Sequence, residues 1–454
     1  MRIEMDTLSL LRSTGVFLMV ALSVSGCKES PSEKTPAPSI PDFRVEDKPA
    51  ILATIRDDEK PSSGGFRITF ADKGGGVVYV AGKDDKNYVV HNGRSGSLYE
   101  GIGDVALSPD GRRIAYSAIA DGKWCMVVDG KAGEPFTLVE SPQFSPDGRH
   151  VAYQVMKGDV WHLIADATVN TSAKARYREH KFSGDSAHLA YIDNADEKGN
   201  RRLVVSDTTF KRKLIIDTGV TVMTLNDDRT AIAAVSRDSA GRERVIQFNI
   251  AKPDAVTRGA DYDKVSRLLF APAGTDLAYF GERQGRMYGV FNGQEEVLPE
   301  GVTPKTPVIN QAGKSVGVLM SANNTVSLYQ MFRDSGRKGN VYDEAEWLVY
   351  SSDGAVSAFA ARKGKSWSVV VNGKEGPKFD RVVTPRFSPD GKFLVYRARK
   401  EGKRFVVVAD ASGAVLRKHR SYEQVFDVQF TSDGKSVAYG VKDGKKLLWK
   451  VERL

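Results

Sequence analysis

The 454-residue chain has two cysteines, Cys27 and Cys125, and six histidines. Two cysteines so far apart exclude a disulfide framework, and they exclude a cysteine-based zinc site, which needs closely spaced pairs. The histidines (His91, His150, His162, His180, His188, His419) include no i, i+4 pair and no His-x-His, so no local metal motif is present. Long hydrophobic runs are missing too. The most apolar segment, Val16–Val24, has nine residues, less than half of the about 20 that a spanning helix needs. No segment carries the 3.6-residue apolar period of a useful amphipathic helix.

What is present is a globular composition, with 41% hydrophobic and 27% charged residues and 43 glycines. That excludes wholesale disorder and favours a turn-rich β protein. The short apolar run near the start fits a signal peptide. It ends in Val24-Ser25-Gly26-Cys27, which resembles the lipobox of bacterial lipoproteins. That resemblance implies cleavage before Cys27 and acylation of it, with residues 1–26 as the removed signal. Lys28 after the cysteine resembles outer-membrane rather than inner-membrane sorting. Residues 27–48 then form the lipidated cysteine and a tether rich in Pro, Ser and charge, expected to be disordered. Extended at about 3.1 Å per residue, such a tether reaches roughly 60 Å.

From residue 49 onward one unit recurs. FSPDGRHVAY at 144, FSPDGKFLVY at 387 and FTSDGKSVAY at 430 share an apolar start, a turn and an aromatic nine positions later. The same frame fits Phe70–Tyr79, Leu107–Tyr116, Phe182–Tyr191, Leu225–Ala234, Phe270–Tyr279, Ile309–Val318 and Tyr350–Phe359, with starts 37 to 45 residues apart. Glycine stands four positions after the start in eight of ten copies, aspartate three positions after it in seven, and alanine just before the closing position in seven. Asp-Gly tolerates φ > 0 and so reverses the chain between two strands. The small residue lets neighbouring sheets approach while the aromatic fills the space between them. β-branched runs such as Ser368–Asn372 and Phe405–Ala409 follow each hairpin, giving about four strands per copy. A period of about 40 residues with this content predicts propeller blades.

FSPDGKFLVY and its copies resemble the WD40-like (PD40) repeats of TolB-type β-propellers over residues 49–454; the Trp-Asp dipeptide of eukaryotic WD40 proteins is missing. The expected fold is all-β: about ten four-stranded blades in one ring, with two smaller rings as the alternative. The last copy has only three strands, and Ala50–Ile55 is expected to supply the fourth. Some relatives of this propeller carry a hydrolase domain after the last blade; none is expected here.

Gly313-Lys314-Ser315-Val316-Gly317 matches the G-x-S-x-G elbow in letters, but that motif needs a strand-to-helix turn, and these residues fall on the hairpin turn of the repeat. Gly-Lys-Ser at 364–366 and 434–436 lacks the earlier P-loop glycine. The turn aspartates are not in an EF-hand loop and read as turn formers. Cys125 reads as a buried small apolar residue. No metal or cofactor is expected.

Formal net charge is +9. Ten segments following the second strand of each hairpin hold 22 Lys or Arg against 12 Asp or Glu; the remainder has 44 against 45. The excess therefore belongs to one class of loop, hence to one rim. Its densest part is Arg362, Lys363, Lys365, Arg397, Arg399, Lys400, Lys403, Lys442, Lys445 and Lys446 in the last three copies, against Glu401 and Asp443. A basic face of this kind attracts anionic partners; the alternative is a solvated, lysine-rich hairpin edge. No aromatic platform is interleaved, which argues against nucleic acid.

The expectation is a non-catalytic, lipid-anchored, monomeric scaffold of the bacterial envelope, on the outer membrane facing the periplasm. It would bind an envelope protein or anionic envelope component through the basic rim and the channel mouth. TolB-type resemblance implies a partner in envelope integrity or assembly. The rivals are a propeller enzyme of lyase or glycosidase type, weakened by inner strands that read as short and apolar, and a small-ligand or carbohydrate sensor using the channel, sought first at the deviant copies starting at 225 and 309.

Overall fold

The computed structural model describes residues 50–454 apart from 63–65, 72–73, 174–178, 195–200, 212 and 432. The expected signal peptide, Cys27 and the tether up to residue 48 lie outside the described residues.

Ten antiparallel sheets follow one another along the chain, and the described residues contain no helix. Numbered in order, the blades span 60–95, 101–136, 138–173, 180–218, 220–262, 264–297, 303–342, 344–375, 381–418 and 424–453. Nine have four consecutive or split strands of their own; in the first, Lys60–Pro61 and Thr69–Phe70 share the inner position, both pairing with Val77–Lys83. Blade 10 has three, and Ala50–Thr54 completes it, pairing Ala50 with Trp449 and Thr54 with Lys446. The expected closure by the N-terminal strand is therefore found.

One hydrophobic core lies between each pair of successive blades, ten in all. The tenth joins Ala53, Ile55 and Leu447 of blade 10 to Tyr79 and Tyr88 of blade 1. The blades thus form one ring. Neither face of a blade is covered within the blade itself, so burial comes from the neighbours.

The repeat's letters have distinct tasks. In Ser108-Pro-Asp110-Gly111 the Ser108 hydroxyl donates to Asp110 at 2.6 Å and accepts from the Arg113 amide at 2.9 Å. Ser145, Ser183, Ser351 and Ser388 hold their aspartates in the same way at 2.5–2.6 Å. The residue after each aspartate turns through positive φ, +69° at Gly111, and Ser186 and Arg229 adopt it where glycine is missing. Blade 7 departs from this pattern: its positive φ falls on Lys314, one residue late, while Gly313 is ordinary. Ser315 then opens a strand, so the G-x-S-x-G letters sit on a β-hairpin, as expected.

Two further periodic devices are visible only in three dimensions. Asn92, Asp129, Asp166, Asn292 and Asn372 each sit at the turn after the third strand and accept from the first amide of the second strand at 2.8–3.0 Å. Each closing aromatic in four blades meets a second ring edge-on 17 residues earlier: Tyr99–Tyr116, Tyr262–Tyr279, Tyr342–Phe359 and Phe379–Tyr396, with centroids 5.7–6.1 Å apart. Edge-to-face geometry places the positive ring edge on the negative face.

Candidate functional site

In an antiparallel blade the turns between second and third strands share one rim with the connections that lead into the next inner strand. That rim holds the basic sector. Residues 360–366, 397–403 and 440–446, expected as loops, are largely strand: the second strands run on to Lys363, Lys400 and Asp443, and the turns are two residues long. The correction divides the basic residues into two groups.

Half of them are engaged. Arg362 contacts Glu344 at 2.6 Å and Asp343 at 3.6 Å. Lys363 faces Glu375 at 3.5 Å, Lys442 holds Glu423 at 2.5 Å, and Lys445 pairs with Asp57. Arg397 is not on the rim surface. It reaches inward to Thr384 Oγ1 and the Val425 carbonyl, both at 3.2 Å, with Asp427 at 3.7 Å. Burial lowers its pKa and Arg386 adds to that, while Asp427 opposes both. The other five, Lys365, Arg399, Lys400, Lys403 and Lys446, are exposed and make no ion pair among the described residues.

Acids on the same rim were missed because they lie in a different segment of the repeat. Asp263, Asp343 and Asp380 end the connection into an inner strand, and each accepts the amide of a rim turn 21 residues later at 2.7 Å. An aspartate 21 residues ahead of three of these turns is the signal that would have revealed them. They make the rim less basic than the turns alone suggest; Lys400 and Lys403, which flank the turn at Glu401-Gly402, remain exposed.

The inner strands are more charged than expected, because alternation places their polar side chains on the channel edge. Several of those charges bridge to the next blade. Arg67 donates to the Gly103 and Ile102 carbonyls at 3.0 and 2.9 Å, and Asp104 accepts the Ser141 amide at 2.8 Å. Lys305 donates to the Ala345 carbonyl at 2.7 Å; Arg381 meets Glu346 at 2.6 Å; Arg386 meets Asp427 at 2.7 Å. These residues form an inner girdle. Within it Trp347 is 49% exposed, on an irregularity of its strand with φ +61°; Ser141, Arg267 and Thr384 take the same conformation in their blades.

Other titratable groups are enclosed between blades. Glu59 is buried and accepts from the Tyr79 hydroxyl and Arg56 amide, both at 2.8 Å. Glu452 contacts Tyr439 and His419, each at 2.9 Å, and Lys450. Burial would raise its pKa, but the hydrogen bonds from His419 and Lys450 bring it down to about 2. No group of three His, Cys, Asp or Glu suited to a metal occurs among the described residues. Cys125 is buried in the core between blades 1 and 2, which raises its thiol pKa.

No protein-family model matches the sequence, and no curated protein matches it. Among solved structures, one described as a eukaryotic initiation factor is similar at 14% identity and TM-score 0.45, over 76% of this chain and 96% of that one. The β-propeller domain of the trilobed protease from Pyrococcus furiosus, described as having open velcro topology, is similar at 11% identity and TM-score 0.34, over 62% and 95%. The Dos1 propeller is similar at 9% identity and TM-score 0.38, over 77% and 90%.

Proposed function

We propose that the protein is a non-catalytic interaction scaffold of the bacterial cell envelope, anchored through an acylated Cys27 on the outer membrane and facing the periplasm. Its partner is an envelope protein or other anionic envelope component, bound by one monomer through the rim sector of blades 8 to 10. The observation that carries this reading is the group of five exposed, unpaired cations, Lys365, Arg399, Lys400, Lys403 and Lys446, on adjacent blades of one rim. Cations already neutralised by carboxylates contribute little to attracting a partner, whereas free ones steer an acidic surface in a salt-dependent way. The inner girdle favours a structural over a catalytic use of the channel's charges, since its residues are engaged by a neighbouring blade. The resemblance of the repeats to TolB-type propellers supports a role in envelope integrity or assembly at the level of the fold only.

The test compares the intact protein with a variant carrying Arg399→Ser, Lys400→Ser and Lys403→Ser in capture from detergent-solubilised envelopes at low and moderate salt. A component held by the intact form and lost from the variant is the expected result; equal recovery by both overturns the rim. Separately, Cys27→Ser releases the protein from membranes, and unchanged membrane retention refutes the anchor.

A further inference from the structure

Between blades 7 and 8, on the rim opposite the basic sector, lies a cleft of 550 Å³, within the roughly 300–1,000 Å³ of small-molecule sites. Three other clefts among the described residues measure 270 to 360 Å³. Three departures of these blades from the repeat converge on the larger one. At its floor the first residue of copy eight is Tyr350, where Phe or Leu stands in most others, and it lies over Gly317. Its hydroxyl donates to Gln330 Oε1 at 2.9 Å, and Gln330 stands where blades 8, 9 and 10 have Val371, Val408 and Val451. Finally, the turn after the third strand of blade 7 has four residues, 332–335, in place of two such as 129–130 in blade 2. Glu296 of blade 6 holds that longer turn, accepting from the Phe332 amide at 2.5 Å and the Ser335 hydroxyl at 2.8 Å.

The lining chemistry is selective. Arg333 and Lys338 are balanced by Asp334 and Asp353, two charges of each sign. Gln330 Nε2 and Asn372 Nδ2 make no hydrogen bond among the described residues, since the bonds of both side chains run through their oxygens. Leu328 and Phe359 supply an apolar floor beneath them. Two open amide donors and the carboxylate acceptors of Asp334 and Asp353 line one cleft, a mixture that matches neighbouring hydroxyls, each both donor and acceptor, better than it matches a single charge. We propose that this cleft binds a neutral saccharide of one or two rings. The site does not depend on the basic rim, so either reading can fail alone.

The experiment titrates the full chain in detergent with maltose, cellobiose and N,N′-diacetylchitobiose by calorimetry. Gln330→Val with Tyr350→Phe restores the residues other blades use, so the fold is expected to persist; Ala355→Trp, at an exposed position on the cleft wall, obstructs the space without altering a core. The expected result is a dissociation constant at or below about 1 mM for at least one disaccharide, weakened at least about tenfold in both variants, with melting temperature unchanged in Ala355→Trp. No binding of any of the three by the intact protein overturns the proposal. Binding that both folded variants retain overturns the location.

Discussion

The seam between blades 10 and 1 and the wedge between blades 7 and 8 begin from the same device. In each, the next blade's first aromatic lies over a glycine of the second strand, Phe70 on Gly440 and Tyr350 on Gly317; Gly317 replaces the repeat's alanine, whereas Gly440 follows the closing Tyr439 and Ala438 keeps the alanine position. At the seam the wedge is filled. Phe70 packs against Phe426 at 4.9 Å and Trp449 at 6.1 Å, Trp449 covers Gly74, and Glu59 is enclosed by Tyr79, Tyr88 and Arg56. At the wedge a hydroxyl and an amide replace apolar groups, a longer turn stands aside, and space remains. The repeat therefore sets the distance between sheets, and the residues outside its consensus decide whether the gap becomes a joint or a cavity.

The largest effect expected from breaking this comparison is at the seam. Deleting 50–55 removes the outer strand of blade 10 together with Ala53 and Ile55 from the closing core. Loss of those buried groups and the exposed edge should cost several kcal/mol, read as a steep fall in melting temperature. An unchanged melt would mean the ring does not rely on this strand. Next comes acid. The Glu452 carboxyl, on the strand that pairs with 50–54, titrates at about 2 rather than 4.5. A depressed carboxylate stabilises the fold above its ordinary pKa, and that contribution is lost as pH falls from about 4.5 toward 2. Up to about 3 kcal/mol is involved. Glu452→Gln should flatten the acid limb of the stability profile; a variant with the same acid limb would place the sensitivity elsewhere.

Much of the ring was legible because its signals are local. Asp-Gly turns, the alanine before an aromatic and the 37-to-45-residue spacing each act within one hairpin, so copies at 107, 144 and 387 reveal the blade and the missing fourth strand reveals the closure. What the sequence hid acts between blades. Arg397 reads as a loop cation, yet its partners are Thr384, 13 residues away, and Val425, 28 away on the next blade. The acids that cap rim turns are 21 residues from the amides they accept. Nor does the inner girdle follow from alternation alone, because its bonds cross from one copy to the next. The deviance of copy seven was plain in its letters, but that its Gln330 would meet Tyr350 depends on how two sheets face each other.

The smallest effect is also the sharpest test of the comparison. A Cβ added at Gly440 would lie 2.6–2.8 Å from the Phe70 ring, which Phe426 and Trp449 hold in place. At Gly317 it would lie 2.1 Å from the Tyr350 hydroxyl and 2.9 Å from Leu348 Cδ2, both at the ends of side chains, and Tyr350 borders open space. Neither glycine has positive φ, so alanine meets no backbone strain and the difference isolates packing. Overpacking a filled joint costs about 1–3 kcal/mol; displacing a ring into a cavity should cost less, offset by loss of the hydrogen bond to Gln330, worth about 1 kcal/mol. Gly440→Ala should therefore lower the denaturation midpoint more than Gly317→Ala. Equal costs would mean the wedge is as tightly packed as the seam, and the cavity between blades 7 and 8 would then have no give.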